Sequence, residues 1–146
     1  FEDVVSDVEY ALGVRMTAYE EVLRATAARL STAREDIDAA TFQRWVESVK
    51  LAERHPGILG IGLATVVPEA ETTSFLAKIQ KLGVEAREVH EVSGGPFDWT
   101  GVARDGGRYV VSFIEPLAPN RVAVGLDLGS EPTRRLSADL SRDTLP

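Results

Sequence analysis

The sequence contains no cysteine and only two histidines among its 146 residues. The lack of cysteine excludes disulfide bonds, thiolate catalysis and cysteine-based zinc sites. The histidines, His55 and His90, are far apart along the chain and have no carboxylate cluster at ligand spacing. The sequence therefore predicts no metal site. It also contains no apolar run that approaches the roughly 18 residues of a membrane span.

Clusters of positive charge are absent as well. The chain has 16 Lys and Arg residues against 23 Asp and Glu residues, for a net charge of -7, and the two signs are interspersed. Binding to nucleic acid or to an anionic membrane surface needs clustered cations, so neither partner is expected. The sequence has no G-x-S-x-G or H-E-x-x-H motif and no recognisable carboxylate pair. It predicts no catalytic residue, no enzymatic activity and no cofactor.

Apolar residues recur at steps of three and four over the first thirty positions, which predicts one long helix. They are Val8, Leu12, Met16, Tyr19, Leu23, Ala27 and Leu30. A helix of this length spans about 45 Å, more than a domain of this size needs. Two expectations follow, and both can hold together. In the first, the helix packs on its own domain along part of its length. In the second, its overhang packs on the same helix of a second copy to form a homodimer.

The rest of the chain alternates between helical and extended patterns. A second helix starts at its N-cap, Asp38, and stops at His55-Pro56-Gly57, and a last helix has Ser130 as its expected N-cap. Between them we expect strands at 58–67, 86–92, 109–115 and 122–128 and a helix at 69–82. This order predicts an α+β fold. A long N-terminal stalk helix and a second helix precede a mainly antiparallel sheet with flanking helices.

Short motifs follow one another in a specific order from the second helix to the C-terminus. They are R-H-P-G-I at 54–58, E-P at 115–116, Asn120, G-x-D at 125–127, S-x-P-x-R-R at 130–135 and R-D-T at 142–144. This combination resembles the CHASE domain, an extracytoplasmic sensory module of receptor histidine kinases, nucleotide cyclases and diguanylate cyclases. The resemblance covers most of the chain.

The resemblance implies a domain organisation and a function. Residues 1–53 would form the helical stalk region, and residues 54–146 a PAS-like sensory subdomain, the membrane-distal half of a domain that continues beyond Pro146. The implied function is extracytoplasmic sensing of a small molecule by a membrane-anchored receptor, which relays binding through helices to a cytoplasmic output domain. The alternative is a degenerate sensor head that acts as a dimerisation or interaction module and has no small-molecule ligand.

Asp127 is the first candidate ligand-binding residue, because its carboxylate lies inside an apolar run, where burial is costly unless a partner is present. In the plant cytokinin receptors of this family, an aspartate before the last helix hydrogen-bonds the purine ring of the ligand, and the resemblance places Asp127 at that position. The residues themselves leave a structural role equally open. Asp127 can cap the following helix or pair with Arg134 or Arg135.

The other candidates come from alternation along the predicted strand at 109–115. One face carries Tyr109, Val111 and Phe113, and the other carries Val110, Ser112 and Ile114. In a PAS-like fold one of these faces lines the ligand cleft, and we expect it to be the face with Phe113. Trp99, in a predicted loop, either closes this cleft or plugs the core. The predicted ligand-binding set is therefore Asp127, Phe113, Val111, Tyr109 and Trp99.

Overall fold

The structure, a computed structural model, describes residues 2–32, 37–93 and 106–144. Its helices are α1 (Glu2–Ser31), α2 (Ala39–Val49), α3 (Leu51–Arg54), α4 (Thr72–Lys81), α5 (Leu117–Asn120) and α6 (Pro132–Thr144). Its strands are β1 (Ile61–Val67), β2 (His90–Glu91), β3 (Arg108–Glu115) and β4 (Leu126–Asp127). The predicted α+β class, with a long N-terminal helix, is confirmed. The division of the chain at residues 53 and 54 stays a prediction.

The four strands form one mixed sheet in the order β1-β3-β4-β2. β1 and β3 pair in the antiparallel sense over their whole lengths and make most of the sheet. β4 pairs antiparallel with β3, whereas β2 runs parallel to β4. β2 and β4 have two residues each, so they are much shorter than the strands predicted at 86–92 and 122–128.

A bulge interrupts the alternation of β3. Leu63 lies opposite Phe113, but the next residue of β1, Ala64, lies opposite Val111, so Ser112 is an extra residue in β3. Residues that lie opposite each other in an antiparallel pair share a face. Phe113 therefore shares the face of Leu63, which we call the inner face. Val111 lies on the other face, the outer face, with Ala64.

The expectation that Tyr109, Val111 and Phe113 share one face is consequently wrong. Tyr109 lies opposite Val66 and Val111 lies opposite Ala64, and both of these β1 residues are exposed on the outer face. Strict alternation would have kept all three together, but one extra residue reverses the faces beyond it.

The hydrophobic core lies against the inner face of the sheet. It combines residues of α1, α2, α3, α4, the following segment and the sheet, namely Val22, Phe42, Val46, Leu51, Ile61, Ile79, Val84, Ala86 and Phe113. Phe42 of α2 and Phe113 of β3 are in direct contact, with their ring centroids 5.5 Å apart. Helix α6 lies on the outer face, where the Tyr109 hydroxyl donates a hydrogen bond to Asp139.

Only the C-terminal half of α1 packs on the domain. Val22 and Thr26 are buried there, and the Tyr19 hydroxyl donates a 2.6 Å hydrogen bond to the carbonyl of Pro56. Residues of the N-terminal half, among them Leu12 and Met16, are exposed. The helix thus packs along part of its length, as one of the two expectations had it. Within the described part of the chain, no helix combines the length and the hydropathy needed to cross a bilayer.

Two helix starts test the capping predictions. The Asp38 carboxylate accepts a 2.7 Å hydrogen bond from the amide of Thr41, which confirms it as the N-cap of α2. Hydrogen bonding by the Thr41 side chain, and then by its amide, lowers the pKa of Asp38. At α6 the expected cap, Ser130, instead bonds outside the helix, accepting from the amide of Val92. Glu131 accepts from the amides of Thr133 and Arg134, both at 2.9 Å, and these bonds lower its pKa.

Candidate functional site

A cavity of about 350 Å³ lies between the inner face of the sheet and the helices that cover it. We call it the inner-face cavity. Its described lining comes from the end of α1, the segment before α2, β1, α4 and its C-terminal end, and β3, and consists of Leu30, Ile37, Leu63, Thr65, Phe75, Lys78, Ile79, Leu82, Ser112 and Phe113. Ligand sites in proteins are commonly concave, mostly apolar and about 300–1,000 Å³ in volume. The inner-face cavity is therefore the candidate ligand site.

Two hydroxyl groups provide a polar element in this lining. Thr65 Oγ1 and Ser112 Oγ lie 2.5 Å apart and share a hydrogen bond across the β1–β3 pair. Ser112 Oγ also lies 3.4 Å from the carbonyl oxygen of Val110. The bulge brings Ser112 into this position, because a regularly alternating strand would not place it on the inner face together with Phe113. The pair adds two hydroxyl groups to a mostly apolar lining.

A second cavity, of about 100 Å³, is lined by the same two β3 residues, Ser112 and Phe113. It extends towards Val84, α5 and Arg121. Its volume is below the usual range for a bound metabolite. Phe113 thus borders both a small space and a larger one, and of these two the inner-face cavity has the size of a ligand site.

The predicted site residues are divided between the two faces of the sheet. Phe113 lines the inner-face cavity, whereas Tyr109 and Val111 lie on the outer face and do not. Tyr109 packs against α6, with the guanidinium carbon of Arg135 5.7 Å from its ring centroid. Burial and the hydrogen bond to Asp139 raise the pKa of the Tyr109 hydroxyl. Trp99 lies outside the described residues.

Asp127 is fully buried, and its carboxylate is held by hydrogen bonds within the protein. Its Oδ1 atom accepts from the amide of Tyr109 at 3.0 Å and from the amide of Gly129 at 2.9 Å. The second bond caps the 3-10 turn Leu128–Ser130, which directly precedes α6. Asp127 thus joins β3 to the turn that starts the last helix. Ligand contact by Asp127 stays a prediction, and it does not line the inner-face cavity.

The cation at Asp127 is Arg108, which the sequence did not single out. Arg108 Nη1 lies 3.4 Å from Asp127 Oδ2 and 3.8 Å from the Glu91 carboxylate. Its Nε and Nη2 atoms donate to Glu69 in a bidentate pair, both at 2.7 Å. The hydrogen bonds to Glu69 are the main cause that raises the pKa of Arg108. Arg108 therefore links β3, β4, β2 and the turn before α4, and it balances the buried charge of Asp127.

Sequence reasoning missed most of the cavity lining. The sequence pattern places Thr65 in a predicted strand and Phe75 in a predicted helix, and it places Ser112 on the strand face opposite Phe113. It predicts no site role for any of them. A weak signal existed, since β1 carries one hydroxyl residue, Thr65, within an apolar run. Neither histidine lines the inner-face cavity. Among the described residues, no group of three or more His, Asp or Glu side chains could hold a metal ion.

The bonds of Asp127 generate a prediction about stability. Asp127→Ala leaves the amides of Tyr109 and Gly129 and the charge of Arg108 without their partner, so we expect it to lower the free energy of unfolding by about 2–5 kcal/mol. Asp127→Asn retains an acceptor oxygen and should cost less. Asp7→Ala, at an exposed position of α1, is the control and should stay within about 0.5 kcal/mol. Urea unfolding measures all three, and an unchanged midpoint for Asp127→Ala contradicts the assigned role.

Comparison with known protein families assigns a family to this chain. The family model described as the CHASE domain matches residues 35–145, which is most of the chain. No curated protein matches the chain. CHASE domains are sensor domains of signalling receptors, are not catalytic, and are typically extracytoplasmic. The resemblance recognised from the short motifs is thereby confirmed, and the chain belongs to the CHASE domain family.

Proposed function

We propose that this chain is the extracytoplasmic, small-molecule-sensing domain of a membrane-anchored receptor of the histidine kinase or cyclase type, and that its ligand binds in the inner-face cavity. Membership of a family of sensor domains supports the sensory role. The observation that carries the assignment of the site is a cavity of about 350 Å³, mostly apolar, with a hydroxyl pair on its sheet side.

The position of the cavity supports a relay through α1. Leu30, in the last turn of α1, lines the same cavity as Phe113 of β3 and Phe75 of α4. A ligand between these residues changes the contacts of the end of α1. The N-terminal half of α1 extends away from these contacts, with Leu12 and Met16 exposed. A rigid helix converts a small displacement at its packed end into a displacement at the other end.

Sensing also sets a thermodynamic condition. A ligand shifts the domain between two arrangements only if it binds one of them more tightly, since equal affinity for both shifts nothing. In this proposal the two arrangements differ in how Leu30 and Ile37 pack over the cavity. Signal output then depends on α1 and on α6, which lies across the sheet and is joined to it through Tyr109 and Asp127.

The proposal predicts ligands whose binding depends on the volume of the cavity. A thermal-shift screen with small metabolites should yield hits, and a ligand at a hundredfold excess over its Kd stabilises the fold by about 2.7 kcal/mol. Phe75→Trp adds volume to the lining and should abolish the shift produced by these hits. Tyr10→Trp, which makes a similar change at an exposed position of α1, should leave the shift unchanged. Hits that still stabilise Phe75→Trp contradict the assigned site.

A second function, dimerisation through α1, is favoured by a separate observation. Large apolar side chains are exposed along the N-terminal half of the helix, namely Val4, Val5, Val8, Tyr10, Leu12, Val14 and Met16. Burial of such a surface against the same helix of a second copy is favourable by roughly 25 cal/mol per Å² of apolar area. In this alternative the head binds no small molecule and the chain acts as an interaction module.

Sedimentation equilibrium tests the dimer. We expect a concentration-dependent dimer for the wild type, and we expect Leu12→Glu to abolish it because the variant places a charge in the apolar contact. Thr73→Glu introduces the same charge at an exposed position of α4, away from α1, and should dimerise like the wild type. A wild-type chain that stays monomeric at high concentration contradicts this function.

A further inference from the structure

The residues that line the inner-face cavity restrict the chemical class of its ligand. Of the ten described residues that line it, seven are apolar, two carry hydroxyl groups, and Lys78 alone carries a charge. An ionised ligand group is costly to bury without an opposite charge. Among the described lining residues, a cationic ligand would find no carboxylate, and a sugar-like ligand would find few hydrogen-bonding partners. The described lining therefore favours a ligand whose buried part is apolar.

Lys78 is the charged residue of this described lining, and it is exposed to solvent. It follows Phe75 by three residues on α4 and precedes Leu82, the C-cap of this helix, by four, so the three residues occupy one side. All three line the cavity, and Lys78 is exposed while Leu82 is half-buried. Its alkyl stem can border the apolar space while the ammonium group stays at the aqueous rim. An ammonium group has three donors, so it can bind a carboxylate in addition to the contact that Lys78 already makes.

We infer that the inner-face cavity takes a small amphipathic carboxylic acid, with an apolar aliphatic or aromatic body inside the cavity and a carboxylate beside Lys78. This inference rests on the proposed sensory function of the same cavity. The hydroxyl pair of Thr65 and Ser112 accommodates a single polar substituent on the ligand body. Since the chain has a net charge of -7, the protein as a whole repels anions. Selectivity for the acid therefore depends on the local charge of Lys78.

Matched acid and alcohol probes test this ligand class. Octanoate is compared with 1-octanol, and 3-phenylpropionate with 3-phenyl-1-propanol, by NMR titration of the isotope-labelled chain. We expect each acid to bind the wild type roughly five- to tenfold more tightly than its alcohol, the size of a charge-assisted hydrogen bond that is partly screened by water. Lys78→Gln should remove that difference. Lys81→Gln, an exposed lysine of the same helix that does not line the cavity, should preserve it.

Any other outcome overturns the inference about the ligand class. The proposal that the cavity is the sensor site is then tested separately by Phe75→Trp. Alcohols that bind as tightly as the acids, acids that keep their preference in Lys78→Gln, or no binding by any probe all remove the carboxylate class. If uncharged ligands bind the wild type and fail to bind Phe75→Trp, the cavity remains the sensor site with a different ligand. If Phe75→Trp binds every ligand as the wild type does, the sensor site itself is wrong.

Discussion

One extra residue in β3 determines the geometry on which the rest of the domain depends. The bulge at Ser112 reverses the faces of the strand, so that Phe113 and Ser112 contribute to the inner face while Tyr109 and Val111 contribute to the outer face. Phe113 then contacts Phe42 in the core, and Ser112 bonds to Thr65 beside the cavity. On the outer face, Tyr109 contacts α6. In a regular strand, Phe113 would share a face with Tyr109 and Val111, and Ser112 would lie on the opposite face.

Asp127 completes this arrangement between β3 and β4. β4 pairs with β3 at a single position, Val110 opposite Asp127, which is a weak basis for a strand. The Asp127 carboxylate adds bonds to the amides of Tyr109 and Gly129, and Arg108 adds links to Glu69 and Glu91. A buried carboxylate is costly unless its acceptors are used. Here the oxygens of the Asp127 carboxylate accept hydrogen bonds that help to join β3 and β4, which have few backbone hydrogen bonds between them.

Local patterns in the sequence predicted the helices and the order of the elements well. The cap at Asp38, the long α1 and strand β3 follow from side-chain chemistry and periodicity over neighbouring residues. The bulge could not be predicted, because it depends on how β3 pairs with a distant strand. The same holds for Arg108 as the partner of Asp127, since the two residues meet only in the folded sheet. The cap of α6 differs from the prediction because the Ser130 hydroxyl is engaged by the amide of Val92 and the carbonyl of Asp127. The Glu131 carboxylate accepts from the first amides of the helix instead.

In the proposed function, ligand recognition takes place in the inner-face cavity, at the junction of the sheet with the end of α1, and not beside Asp127. A crystal structure of the domain with a hit from the metabolite screen is the test of this location. We expect ligand density within contact distance of Phe113, Ser112 and Phe75, with Leu30 displaced relative to the free domain. Density against the Asp127 carboxylate, with the inner-face cavity empty, would contradict it.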